Sequence, residues 1–219
     1  MRQKIEFMSL INELIQSKYL KSPEIIDAFR KIKREDFLLD QDEGMAEVNV
    51  PLSIGHGQTI SQPLTVAFML ELLRPEKGDK ILDIGSGSGW TVALLAQIIG
   101  KKGKIYGVER IEELKKFAEN NILKYNFINK GIVEIIHGDG YKGLPGYAPF
   151  DKIIIAAAAE EIPTALLKQL KVGGRLVIPV GRQYETQDIV AVDKIGKDEF
   201  KEKRYPGFVF VPLVKSHNA

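Results

Sequence analysis

Cysteine is missing from all 219 residues, which excludes disulfides, thiolate nucleophiles and cysteine-ligated metals. Neither sign of charge dominates: 31 Lys and Arg face 29 Asp and Glu, a formal net of +2, and the two signs are interspersed. A protein that grips a phosphate backbone gathers its cations on one stripe, so no nucleic-acid partner is expected. No apolar run approaches membrane-spanning length, and the N-terminus lacks the unbroken apolar core of a secretory leader. No membrane partner and a cytoplasmic location are therefore the expectations. Of three histidines, His137 has no second histidine at ligand spacing and His217 lies in the tail, so no metal site is expected.

What is present is an ordinary globular composition, 44% hydrophobic and 27% charged, long enough to bury one core. One domain is expected over residues 1–219, with helices and a polar loop over 1–75 and a sheet over 76–219. Leu10, Ile11, Leu14 and Ile15 share helical spacing with Ile5 within 3–20, which predicts an amphipathic helix. Ser22-Pro23 reads as the start of another, with Ser22 as its cap. Residues 33–52 read as irregular. A third helix follows Pro63 and stops near Pro75.

From residue 80 the pattern changes to strands alternating with helices. Strands are predicted at 80–85, 103–110, 132–140, 150–159 and 175–181, and helices at 90–99, 111–126 and 163–170, the last ended by Gly173-Gly174. Two further strands are placed at 188–195 and 207–214, and the Lys-rich stretch 194–204 reads as a solvated edge. The alternation implies an α/β fold, a doubly wound, mostly parallel sheet preceded by a helical segment.

"DIGSGSGW" (83–90) joins the first of these strands to its helix, the place where doubly wound sheets bind ligands. Gly85, Gly87 and Gly89 give G-x-G-x-G. A dinucleotide fingerprint wants its third glycine at 90, where Trp90 stands, and no P-loop lysine follows. A plain tight turn would account for one glycine; three in five residues favour close approach of a ligand to the backbone. Glu109 ends the second strand twenty residues past Gly89, where an acid accepts ribose hydroxyls. Asp139 ends the third strand and is placed to accept from an adenine amino group. With Asp83, three acids gather at carboxyl ends of neighbouring strands. Such a crevice suits a cationic ligand and suits a pyrophosphate poorly, which points to S-adenosylmethionine.

The loop "PLSIGHGQTISQP" (51–63), followed in order by "ILDIGSGSGW", "VERI" (108–111), "HGDGYKGLP" (137–145), "PFDKIIIAAAAEEIP" (149–163), "VGGRLVIPVG" (172–181) and "FVPLV" (210–214), resembles the protein-L-isoaspartate O-methyltransferases. The resemblance spans about residues 22–214 and implies a seven-stranded Rossmann-like methyltransferase sheet with S-adenosylmethionine as cofactor. It implies isoaspartyl peptides and damaged proteins as substrates. It implies Ser61 as the catalytic residue and Gln58, Thr59, Ile60, Asp83, Gly85, Gly87, Gly89, Glu109, Asp139 and Gly140 around the cofactor. His56, Thr59, Ser61, Ala156, Val180 and Pro212 are expected around the substrate. A purely local reading competes at one point, since Ser61 or Gln62 equally well caps the helix begun at Pro63. Two rival functions share the fold: a tRNA or other nucleic-acid methyltransferase, and a non-catalytic S-adenosylmethionine-binding protein. The first usually carries Asn/Asp-Pro-Pro-Tyr where this chain has Ala156 to Ala159.

Overall fold

The structure, a computed structural model, describes residues 9–214; Ile5 and His217 lie outside them. Helices α1 (Leu10–Gln16), α2 (Pro23–Lys31) and α3 (Pro63–Leu73) come first, with strands β1 (Leu52–Gly55) and β2 (Gln58–Ile60) inserted before α3. The order then runs β3 (Lys80–Ile84), α4 (Trp90–Ile99), β4 (Lys104–Glu109), α5 (Glu112–Leu123), β5 (Val133–His137), β6 (Phe150–Ile155), α6 (Thr164–Gln169), β7 (Leu170–Val180), β8 (Gln187–Lys194) and β9 (Phe200–Phe208). Seven strands form one sheet in the order β5-β4-β3-β6-β7-β8-β9. The five from β3 to β7 are parallel, and β8 and β9 return antiparallel. The chain leaves β3 towards β4 and β5, then crosses back to β6 on its other side. The carboxyl ends of β3 and β6 thus flank the switch point at which open α/β sheets bind ligands.

Side-chain alternation along the strands divides the core in two. Ile81, Ile105, Ile135, Ile154 and Val177 pack with the apolar faces of α1 to α5. Leu82, Val108, Ile153, Leu176 and Ile178 form the other layer, with Leu166 of α6 and Leu170. The N-terminal helices therefore share their core with the sheet.

Three local differences from the sequence reading have physical causes. Ser22 does not cap α2: its hydroxyl donates to Glu71 Oε2 at 2.7 Å, and Glu71 Oε1 accepts from Lys21 N and Ser22 N at 2.7 Å each. A carboxylate 49 residues away holds the residues just before the helix, and the first-turn amides of Ile25 and Ile26 go to the Ser22 carbonyl at 3.0 and 2.9 Å. Gly173-Gly174 does not end α6; the helix stops at Gln169 and β7 runs on through both glycines, with Gly173 at φ +83°. The last strand lies at Phe200–Phe208, not at 207–214, because Lys201 and Lys203 belong to a free sheet edge where charged side chains are tolerated. Beyond it the chain stays extended and makes an isolated parallel bridge from Pro212 to Ala158. No helix among the described residues is long and apolar enough to cross a membrane.

Candidate active site

The polar loop at 52–60 is a hairpin standing outside the main sheet. Gly55, His56 and Gly57 all take positive φ (84°, 54° and 69°), so the chain reverses within three residues. Ile54 and Ile60 are buried and anchor it. The reversal brings β2 over the carboxyl ends of β3 and β6. There it roofs a cavity of about 800 Å³, counting its open mouth, floored by Gly85, Ser86, Gly87 and Ser88 and walled by Glu109, Gly138 and Gly140.

The floor needs its first glycines. A Cβ on Gly85 (φ +79°) would stand 3.9 Å from Ala156, and one on Gly87 (φ +53°) 3.2 Å from the Ile54 side chain. Both residues line the cavity, so added atoms there take space from a ligand. Gly89 differs from them. It starts α4 with its back to α5, and a Cβ would meet Ile122 at 2.9 Å and the Ala118 Cα at 3.2 Å. It is a packing glycine and does not line the cavity, contrary to the expectation for it.

Glu109 is buried, and its carboxylate sits at the crevice as the spacing implied. Oε2 accepts from Gly87 N and Oε1 from Ile111 N, each at 3.0 Å. These amides fix the carboxylate edge-on and leave each oxygen a lone pair for ribose hydroxyls. Asp83 lies beneath the floor, 1% exposed. Ser86 Oγ donates to its Oδ1 at 2.8 Å, while Oδ2 is buried without a hydrogen-bond partner. Burial pushes its carboxyl up to about 7, opposed by the Ser86 hydrogen bond and reinforced by the Glu109 charge. Asp83 is thus an underlying acid, not a wall residue. Asp139 is not in the wall either. Its Oδ1 accepts from Tyr141 N at 2.9 Å, while its neighbours Gly138 and Gly140 line the cavity. At Gly140 a Cβ would lie 2.5 Å from Ile84 Cγ2, which explains the glycine.

A second, wider cleft of about 1680 Å³, open to solvent, meets the first at Thr59, Ser61, Ala156, Val211 and Pro212. Four expected substrate residues, Thr59, Ser61, Ala156 and Pro212, stand at this junction. Two do not reach it: His56 is exposed at the tip of the hairpin, and Val180 is buried behind the site, bridged to Ala159. The alanine run after β6 is held by backbone alone. Ala158 N donates to Val211 O at 2.8 Å, Leu213 N to Ala158 O at 2.7 Å, and Ala159 N to Pro179 O at 3.1 Å.

The local reading of Ser61 can now be decided. The N-cap of α3 is Gln62, whose side chain makes no cap bond. Leu64 N is taken instead by Asn49 Oδ1 at 3.0 Å, and Gln62 Nε2 donates to Asn49 O at 3.0 Å. Helix capping therefore leaves the Ser61 hydroxyl uncommitted. Several wall residues were not legible beforehand, among them Ser86, Thr91 and Arg110. Trp90, which stands where a dinucleotide fingerprint would have its third glycine, packs edge-to-face on Phe29 at 5.6 Å and also lines the cavity.

A glycine-floored cavity at the switch point, with a buried acid below and another at the next strand end, fits S-adenosylmethionine. Gly85 and Gly87 admit the backbone approach, and the Glu109 carboxylate in the wall is placed to accept from ribose hydroxyls. Fold and site define an S-adenosylmethionine-dependent methyltransferase.

Residues 6–218 match the family model for protein-L-isoaspartate(D-aspartate) O-methyltransferase (PCMT). A protein-L-isoaspartate O-methyltransferase of Aeropyrum pernix is 41% identical over 210 residues, covering 96% of this chain and 80% of its own. One from Thermococcus onnurineus is 43% identical over 207 residues, covering 94% and 92%. A crystal structure of a Plasmodium falciparum protein described as a protein-L-isoaspartate O-methyltransferase, in complex with S-adenosyl-L-homocysteine, superposes with a TM-score of 0.85 at 25% identity, covering 94% of this chain and 97% of that one. The chain belongs to the protein-L-isoaspartate(D-aspartate) O-methyltransferase family.

Proposed function

We propose that the junction of the two cavities is where a methyl group passes from S-adenosylmethionine to the free carboxylate of an isoaspartyl residue in a damaged protein. The observation that carries this is the meeting of the glycine-floored cavity and an open cleft at Thr59 and Ser61. When bound, S-adenosylmethionine supplies a sulfonium methyl to a nucleophile. A free carboxylate, with a pKa of roughly 3.9, is ionised at neutral pH, so the chain needs no general base. Its task is to place the carboxylate in line and strip water from it. Ser61 orients the carboxylate by donating its hydroxyl hydrogen, and forms no covalent intermediate. Thr59 and the backbone of 156–158 and 211–213 frame the same point.

The wider cleft suits a peptide better than a polyanion, because among the described residues none of those lining it is charged. That absence supports a protein substrate over a nucleic acid, and a cytoplasmic location belongs to the same reading. Methyl esterification of the free α-carboxylate of the β-linked residue makes it a good acceptor for the following backbone nitrogen; closure to a succinimide expels methanol and water reopens the ring, so neither step needs a further group from the enzyme.

Ser61→Ala is expected to lower kcat with an isoaspartyl peptide by roughly tenfold, the worth of one hydrogen bond to a charged group, while the Kd for S-adenosylhomocysteine stays within about threefold, less than one such bond. Steady-state kinetics and calorimetry on one preparation check this. Equal losses in both quantities would place Ser61 against the cofactor instead.

A further inference from the structure

We infer that Arg34 is a positioning residue, a buried clamp that sets the catalytic hairpin over the cofactor cavity. Arg34 belongs to a single 3₁₀ turn (Arg34–Phe37), yet it is only 5% exposed. Its guanidinium faces backbone oxygens. Nη1 donates to Val48 O at 2.9 Å and, at the long limit of 3.4 Å, to Ala46 O. Nη2 donates to Val50 O at 2.7 Å and to Ser61 O at 3.4 Å. Val50 precedes β1 and Ser61 follows β2, so one nitrogen spans both ends of the hairpin at its base. The guanidinium carbon also lies 5.5 Å from the centre of the Trp90 ring, and Trp90 lines the cofactor cavity. A single planar group thus touches the strand-entry backbone, the Ser61 backbone and the cofactor wall.

A buried cation held by carbonyls is costly where no carboxylate touches it. Burial lowers the Arg34 proton affinity to about 10 against the opposing charge of Glu47, and Nε is buried without a partner. An apolar side chain of similar volume would fill the space without that cost. What it would not do is satisfy four carbonyls spread over residues 46–61. Lysine keeps the charge but offers one nitrogen where two diverging ones are used, so the two ends of the hairpin lose their common reference.

The inference rests on the hairpin that carries Thr59 and Ser61 forming one side of the methyl-transfer point. Arg34→Lys is expected to lower kcat for an isoaspartyl peptide by roughly tenfold to a hundredfold, the range for misplacing a reacting group by about an ångström. The Kd for S-adenosylhomocysteine, read from the fluorescence of the only tryptophan, is expected to change by less than about threefold, under half the tenfold step of 1.4 kcal/mol. Val192→Ala, a cavity variant in the far layer of the core, supplies a control that lowers Tm while keeping kcat. The clamp is overturned if Arg34→Lys keeps kcat within twofold or loses cofactor affinity as much as kcat. It is likewise overturned if its kcat loss matches that of Val192→Ala, or if the Arg34→Lys chain does not fold. If Arg34→Lys loses turnover while Ser61→Ala keeps it, the clamp stands and the role of Ser61 falls.

Discussion

Glu109→Ala is expected to weaken binding of S-adenosylhomocysteine about a hundredfold, close to 2.8 kcal/mol. Hydrogen bonds to a charged group contribute roughly 1.5–3 kcal/mol each, and this carboxylate would accept from two ribose hydroxyls with water recovering part of the loss. The variant also removes the acceptor of Gly87 N and Ile111 N, so the glycine floor loses its side-chain tie to β4 and keeps the backbone ones from Gly85 N and Ser86 N to Val108 O. Glu109→Gln keeps one acceptor oxygen and replaces the other with a donor facing a backbone N–H. Its loss is expected to be smaller, about tenfold, one hydrogen bond's worth. Isothermal titration of the three proteins reads both values. An unchanged Kd in Glu109→Ala would remove the ribose role and leave Glu109 as a loop brace.

Gly89→Ala is expected to lower Tm by roughly 4–20 °C while the folded protein binds cofactor almost as well as before. At φ +88° a Cβ costs ~1–2 kcal/mol in left-handed backbone. Here it also drives into Ile122 at 2.9 Å and the α5 backbone at Ala118, 3.2 Å away, an overpacking of ~1–3 kcal/mol. Gly87→Ala has the opposite signature, because its Cβ would point at the Ile54 side chain beside the cavity. It should act on cofactor affinity more than on Tm. Thermal scans with and without S-adenosylhomocysteine separate the two. A Gly89→Ala protein with wild-type Tm and lost cofactor affinity would return Gly89 to the binding floor.

That pair shows how much of the site the sequence made legible. Gly85, Gly87 and Gly89 are identical in pattern, and only the contact with Ala118 and Ile122 tells the third apart. Parallel strands β3, β4, β5 and β6 stood out because buried strands read as short apolar runs bounded by turns. Strand β9 did not, since an edge strand carrying Lys201, Glu202, Lys203 and Arg204 has the composition of a solvated loop. The Ser22 hydroxyl went to Glu71 and the cap of α3 to Asn49, and neither partner is adjacent in sequence to the helix concerned. Local propensity proposed Ser22 and Ser61 for those roles, and tertiary contacts took both. Arg34 carried no signal, because a cation in a stretch read as irregular has no periodicity to mark it as buried. Glu109 was legible through its distance from the glycines, which the βαβ geometry fixes.

Methyl transfer to an abnormal carboxylate is the central claim, and labelled S-adenosylmethionine tests it with two peptides that differ only in an aspartyl or isoaspartyl linkage. The expected result is label on the isoaspartyl peptide alone, released as methanol by mild base. Equal labelling of both peptides, or label found only on added tRNA, would contradict it.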